Sequence, residues 1–344
     1  MSPSAGAPTR SEASRAAAAR NGLEQLLALV GKDLQEVNRL IVERMHSPVI
    51  LIPQLAGHIV ASGGKRLRPL LTLAAARLCG YRGSRHLGLA ACVEFIHTAT
   101  LLHDDVVDES GLRRGKSTAN AIWGNKASVL VGDFLFSRAF QLMVADGSLE
   151  VLRILSNASA VIAEGEVQQL MTANDTETSV EAYLEVIAAK TAVLFAAACE
   201  VGAVVAERPP EEQQALESYG RALGMAFQLV DDILDYAAEE SALGKAVGDD
   251  FRDGKLTLPV LLAIARGDES ERRFWRRCLE DMQQGRDDLA EALRLLNRHD
   301  TLNAAREVAT GYRDQALAAL QVFPPSETRT ALAEVARFTV DRAY

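Results

Sequence analysis

Cysteine is scarce in this 344-residue chain and scattered: Cys79, Cys92, Cys199 and Cys278 stand far apart. No two are spaced C-x-x-C, which excludes a disulfide framework and a zinc site of the usual kind. They read as reduced core residues of a cytoplasmic protein. No uncharged apolar run reaches the roughly 18 residues that a membrane span needs, and no signal-peptide core is visible. Strand signals are almost missing, with no alternating β-branched runs and no Asn-Gly hairpin. Proline is absent between Pro69 and Pro209, and no Pro/Gly/Ser linker divides the chain. Positive charge is short as well: the net charge is −9 and the pI about 5.3, which argues against nucleic acid as a partner.

What is present is helical patterning. Hydrophobic residues make up 48% of the chain and aromatics only 5%, so a large core can be built from small aliphatic side chains. Length alone would allow about two domains, but the unbroken pattern reads as a single all-α domain over 21–344. Residues 1–20 are rich in Ala, Ser and Arg with one acid, Glu12, and read as a disordered tail. Apolar spacing predicts a first helix from about Leu23 to Met45 and another opened by Pro53. Further helices are expected over His86–Asp108, from Ser128 to Val144, around Ala160–Met171, and from Pro210 to about Ala238. Thr178 with Glu181 is read as a capping box.

Two acidic motifs stand out against this background. Asp104, Asp105 and Asp108 fall at i, i+1 and i+4, at one end of one helix face. Asp231, Asp232 and Asp235 repeat the spacing, with Gln228 one turn before them. Three carboxylates that close repel one another unless a cation lies between them, and Mg²⁺ prefers such oxygen ligands. A solvated helix end explains one triad; two at the ends of apolar helices suggest two walls of one metal site. Polar groups in such a stripe are costly to bury unpaired. His97 lies two turns before Asp104, where it is either an ordinary core histidine or part of the site.

Basic residues cluster where an anion would meet those metals. Lys65, Arg66 and Arg68 follow Gly63-Gly64, and Pro69 suits the first turn of a helix whose start adds positive potential. That combination fits a diphosphate site. Arg113 and Arg114 follow the first triad, and Lys245 and Lys255 follow the second in a glycine-rich segment that suits a lid. Lys190 and Thr191 sit inside the apolar run IAAKTAVLFAAAC. The lysine either snorkels to the surface or meets an anion in a cleft.

Taken together, GGKRLRP at 63–69, EFIHTATLLHDDVVDESGLRRG at 94–115, KT at 190–191, QLVDDILDY at 228–236 and GDDFRDGKLTLP at 248–259 resemble the trans-polyprenyl diphosphate synthases. The likeness covers essentially everything after about residue 20 and is greatest to long-chain members making octaprenyl to decaprenyl tails of respiratory quinones. It implies antiparallel helices around a deep cavity, a homodimer, and repeated head-to-tail condensation of isopentenyl diphosphate onto an allylic diphosphate such as farnesyl or geranylgeranyl diphosphate. A long apolar product also implies peripheral membrane contact at release. By resemblance, Asp104 and Asp108 hold a pair of Mg²⁺ ions with Asp105 in support. Asp231 holds a third, which Asp232 and Asp235 reach through water. Lys65, Arg68, His97 and Arg114 match the positions that hold isopentenyl diphosphate. Arg113, Lys190, Thr191, Gln228, Lys245 and Lys255 match those around the allylic diphosphate. Ala99 and Thr100, both small, match the positions where short-chain members place a bulky aromatic, so they are expected to leave a product tunnel open. The alternatives are a shorter-chain synthase, a terpene cyclase, which shares only the first triad, and a non-catalytic partner subunit, which would have lost one.

Overall fold

The computed structural model describes residues 10–61, 66–113, 115–237 and 247–341. Its organising element follows from the run most apolar all round. A helix hydrophobic on every side belongs in the middle of a bundle, and α9 (Val193–Val205) has nearly every residue buried. Small residues bring its neighbours close. A Cβ on Gly202 would lie 2.6 Å from that of Ala75, and one on Gly220 only 2.3 Å from the Phe195 carbonyl oxygen. Around α9 pack α3 (Leu67–Leu78), α4 (Arg85–Val107), α7 (Leu149–Thr172) and α10 (Pro210–Ala237).

Outside these lie α1 (Arg10–Arg44), α2 (Leu51–Ala61), α5 (Ala119–Trp123) and α6 (Asn125–Asp146), the last packed along α4. The short α8 (Val180–Ile187) leads into a π-helical turn, Ala188–Ala192, which runs directly into α9. Beyond α10 come α11 (Asp249–Arg252), α12 (Leu258–Arg266), α13 (Glu269–Trp275), a second π-turn (Arg276–Glu280) and α14 (Asp288–Arg298). Then α15 (Thr301–Ala319) packs along α10, and α16 (Glu327–Asp341) returns to cover α1. Phe251 and Trp275 centre a small core of their own beneath α11. The fold is all-α, as expected from the pattern. Its only strands among the described residues are the two-residue pair Leu112–Arg113 and Lys116–Ser117, an antiparallel ladder just after the first triad.

Several boundaries differ from the sequence reading. Helix α1 begins at Arg10, well ahead of Leu23, because the Ala- and Arg-rich segment favours helix without needing an apolar face. Helix α7, capped by Ser148, runs from Leu149 to Thr172 and contains the expected Ala160–Met171 stretch. The cap of α8 is Ser179, whose Oγ accepts from the Ala182 N–H at 3.1 Å; no capping box forms through Thr178. Two stretches, α6 and the continuous Val180–Val205, are long and apolar enough to cross a membrane by composition. The second is mostly buried inside the protein, as a core helix should be, whereas α6 is only partly covered.

The π-turn is the local feature that matters most for the site. Such turns insert one residue into an α-helix and redirect the side chains that follow. Here the insertion is clasped between two glycines. A Cβ on Gly165 of α7 would lie 2.7 Å from Ala189 Cβ, and one on Gly224 of α10 would lie 2.6 Å from Ala192 Cα. A side chain at either position would push against backbone, a kind of overpacking that costs about 1–3 kcal/mol.

Candidate active site

The first triad ends α4, and its three carboxylates do different things. Asp104 is largely buried, with its side chain 13% exposed. Burial pushes its carboxyl up to about 7; Lys190 opposes this, while Glu166 and Asp108 add to it. Asp105 turns the other way and is held by Arg113, whose Nη2 and Nε donate at 2.7 and 2.8 Å. Asp108 caps the helix, its backbone N–H donating to the Asp104 carbonyl at 2.8 Å, and its side chain is exposed. Arg113, matched by resemblance to the allylic diphosphate, is thus engaged with the middle aspartate of the triad.

Lys190 and Thr191 lie in the π-turn and reach opposite walls. Lys190 Nζ donates to Glu166 Oε2 at 2.8 Å and to Gln169 Oε1 at 2.9 Å, and stands 4.0 Å from Asp104 Oδ2. It therefore does not snorkel; it is pulled into the acidic cleft. Thr191 Oγ1 donates to Gln228 Oε1 at 3.0 Å, and Gln228 Nε2 donates to Asp232 Oδ1 at 2.8 Å. One turn of chain thereby links the first triad to the second. Glu166 and Gln169 escaped the sequence reading because two polar residues on an amphipathic helix look solvated. Their i, i+3 spacing opposite a buried lysine was the available signal.

The second triad does not form a single stripe of equivalent groups. Asp232 is buried and accepts from the Tyr183 hydroxyl as well as from Gln228. Burial, with Asp250 nearby, raises its carboxyl to about 8. Asp231 is exposed, and Asp235 Oδ2 accepts from the Asp250 N–H at 3.0 Å. Lys255 meets Asp253 at 3.0 Å and Asp250 at 3.2 Å; burial works against its charge, but these two aspartates outweigh that and hold its pKa above the usual lysine range. Asp231 and Asp235 thus face different surroundings from Asp232, a separation the spacing alone could not give.

The basic turn before α3 is docked onto α4. Arg68 Nη1 donates to His97 Nε2 at 3.2 Å, and its guanidinium carbon lies 4.3 Å from the centre of the Phe195 ring. An arginine can only donate, so the His97 proton belongs on Nδ1. Arg66, which the resemblance did not single out, forms a buried ion pair with Glu94, three residues before His97 on α4. Lys65, Arg114 and Lys245 lie outside the described residues, as do the first residues of the segment expected to act as a lid; from residue 247 onward that segment is described, with Phe251 buried against Trp275.

At the tunnel positions the expectation divides. Ala99 is fully buried, so no solvent-sized space adjoins it. Thr100 is only half-buried, with its hydroxyl donating to the His97 carbonyl at 2.8 Å. Adjacent residues on a helix differ by about 100°, which is enough to put one against packed side chains and the other beside open space. Farther along the chain, on α6, Met143 is buried while Phe140 is 43% exposed.

Among the described residues no three acidic or histidine side chains lie together as a ready-made metal cage. The donors nevertheless suit a hard cation. Asp104 is a buried carboxylate with too little positive charge around it, and beside it Glu166 Oε1 is buried with no hydrogen-bond partner among the described residues. A cation here would have to be shared with ligand oxygens.

Comparison with known proteins places this arrangement. Residues 50–296 match the family model described as polyprenyl synthetase. The chain is 50% identical over 320 residues to octaprenyl diphosphate synthase of Escherichia coli strain K12, covering 93% of this chain and 99% of that protein. A decaprenyl diphosphate synthase structure from Rhodobacter capsulatus superposes with a TM-score of 0.90 at 52% identity, covering 93% of this chain and 99% of that one. A polyprenyl synthase from Caulobacter crescentus CB15, complexed with calcium and isoprenyl diphosphate, gives 0.90 at 54% identity over 93% of this chain and 98% of its own. With a match spanning most of the chain and a motif set in family order, this protein belongs to the polyprenyl synthetase family of prenyltransferases.

Proposed function

We propose that the chain is a long-chain trans-polyprenyl diphosphate synthase that adds isopentenyl diphosphate units repeatedly to an allylic diphosphate, farnesyl or geranylgeranyl diphosphate, and so makes the side chain of a quinone. The observation that carries this reading is Lys190, held by Glu166 and Gln169 beside Asp104 while its neighbour Thr191 ties into Gln228 and Asp232. The octaprenyl and decaprenyl relatives support the long product, and the calcium and isoprenyl diphosphate of the Caulobacter protein support a divalent cation.

Asp104, Asp108, Asp231 and Asp235 are the residues that would hold about three Mg²⁺, with Asp105 and Asp232 supporting the two walls. Bound Mg²⁺ neutralises the allylic diphosphate and stabilises charge developing on the leaving oxygen. Lys190, Thr191 and Gln228 orient that diphosphate, with Arg113, Lys245 and Lys255 adding positive charge around it. The allylic C–O bond breaks with its electron pair going to diphosphate. The alkene of isopentenyl diphosphate, held by Lys65, Arg68, His97 and Arg114, then forms the new C–C bond. A proton leaves the adjacent carbon, and the released diphosphate is the base we propose for it. Cytoplasmic chemistry on soluble diphosphates fits the acidic, cysteine-poor composition.

A homodimer is also proposed. Helices α6 and α7 expose Leu130, Val144, Leu170 and Met171 at 61–80%, and apolar area of this kind on adjacent helices is usually covered by a partner. Sedimentation that gave only a monomer mass at micromolar concentration would count against it.

One incubation tests the function: labelled isopentenyl diphosphate, farnesyl diphosphate and Mg²⁺, with products separated by length. Octaprenyl to decaprenyl diphosphate is the expected outcome. Chains stopping at geranylgeranyl would support the shorter-chain reading, and a cyclic hydrocarbon would overturn the assignment. In the same assay, Thr100→Phe should shorten the product by several isoprene units while the first condensations persist. Ala99→Phe should instead overpack the core. An unchanged chain length from Thr100→Phe means the product does not pass that residue.

A further inference from the structure

We infer that the Arg66–Glu94 ion pair is a positioning device for the isopentenyl diphosphate subsite, indexing that subsite to the same helix that carries the first aspartate triad. Glu94 lies within the apolar run of α4 with its side chain 9% exposed, where a carboxylate is costly unless paired. Its partner is Arg66, whose side chain is 16% exposed. Arg66 has φ 47° and ψ 40°, the left-handed conformation that side-chain-bearing residues avoid, and no side chain caps α3 at that point. The ion pair therefore holds Arg66 in the bend from which α3 departs.

The next turn repeats the device. His97 follows Glu94 at i+3 on the same face of α4 and takes Arg68 at 3.2 Å, over the Phe195 ring. Two residues of α4 thus grip two arginines of one turn. From His97 to Asp104 is seven residues, or about 10 Å along the axis at 1.5 Å per residue. One rigid helix fixes the separation between the basic turn and the metal-binding end. Releasing Arg66 would let the turn drift relative to α4 while leaving the triad in place. The consequence would fall on one substrate only.

This inference rests on the reading that Lys65 and Arg68 hold isopentenyl diphosphate, so the test carries Arg68→Ala as a control for that reading. Glu94→Gln keeps the shape and removes the charge. It should raise KM for isopentenyl diphosphate about tenfold, as misplacement of binding groups does, with KM for farnesyl diphosphate unchanged and kcat little altered. Arg66→Gln should do the same, and the double variant should add nothing, since all three break one pair. Arg66→Lys, which keeps the charge, should recover most of the loss. If Glu94→Gln fails to fold, Arg66→Gln reads the same pair from its more exposed side. A raised isopentenyl KM in Arg68→Ala with none in Glu94→Gln or Arg66→Gln would overturn the inference alone. Losses shared equally by both substrates and tracking a fall in Tm would show that the pair is merely structural. An Arg68→Ala variant with unchanged isopentenyl KM would overturn the subsite reading, and the inference with it.

Discussion

Replacing Asp104 by alanine should lower kcat by about three orders of magnitude, the loss typical of removing a group that stabilises transition-state charge, while the helical fold remains. Asp231→Ala should show the same direction, and excess chelator should mimic both. The proton on Asp104 gives a second reading. Its carboxyl lies at about 7 in the metal-free protein, against 3.8 as the ordinary value. A cation must displace that proton, so the Mg²⁺ needed for half-maximal rate should rise about tenfold for each pH unit below 7. The sign for stability follows. The folded state holds this proton more tightly than the unfolded chain, so the group's stabilisation is complete below pH 3.8 and is lost as pH rises through 7. Asp232, raised to about 8, acts in the same direction. Chelated protein should therefore melt lower at pH 8 than at pH 6, and Mg²⁺ should offset part of that fall. Asp104→Ala retaining full activity in chelator would remove the metal-bridged mechanism. A chelated Tm that climbed between pH 6 and 8 would contradict the burial argument.

The sequence made the helical fold and both triads legible because each depends on local periodicity. Spacing of i, i+1 and i+4 puts Asp104 and Asp108 at one helix end wherever that helix packs. What each carboxylate touches is another matter, since it depends on elements distant in the chain. Asp105 meets Arg113 because a two-residue β-ladder folds that arginine back. Asp232 meets Tyr183 because Tyr183 shares a core with Leu229 and Ile233 of α10. Neither contact leaves a periodic trace. Ala99 and Thr100 looked equivalent as small residues, and only the packing of α4 separates them. The π-turn was invisible for a related reason: a one-residue insertion barely disturbs an alanine-rich pattern. Its trace was the pair of glycines, Gly165 and Gly224, that make room for it. Glu94 and Arg66 were similarly masked, because a single acid in an apolar run reads as an irregularity until its partner is known.

Lys190→Gln should be the second most damaging change, lowering kcat by about two to three orders of magnitude. Among the described residues Lys190 is the cation that pairs with Asp104, at 4.0 Å, and the leaving diphosphate would gain charge beside it as the allylic bond breaks. Glutamine keeps a donor for Glu166 but brings no charge to that point. The allylic substrate should also bind more weakly, because a lost charge-assisted contact costs about 1.5–3 kcal/mol, roughly one to two decades in affinity. KM for isopentenyl diphosphate should stay unchanged, since that site is referred to α4 and the basic turn. The substitution has an indirect effect as well. Lys190 lowers the Asp104 carboxyl against the effect of burial, so without it the proton is held more tightly and the Mg²⁺ requirement at neutral pH should increase. Glu166→Gln tests the partner's charge: Lys190 keeps its ammonium but loses the negative charge of its 2.8 Å partner, so the fall in kcat should be smaller and Lys190 freer to approach Asp104. The comparison is made by single-turnover kinetics with farnesyl diphosphate at saturating Mg²⁺, where the chemical step is read directly. A near-normal single-turnover rate in Lys190→Gln would mean that the lysine serves only as a counter-ion to Glu166, with the leaving diphosphate stabilised by other groups.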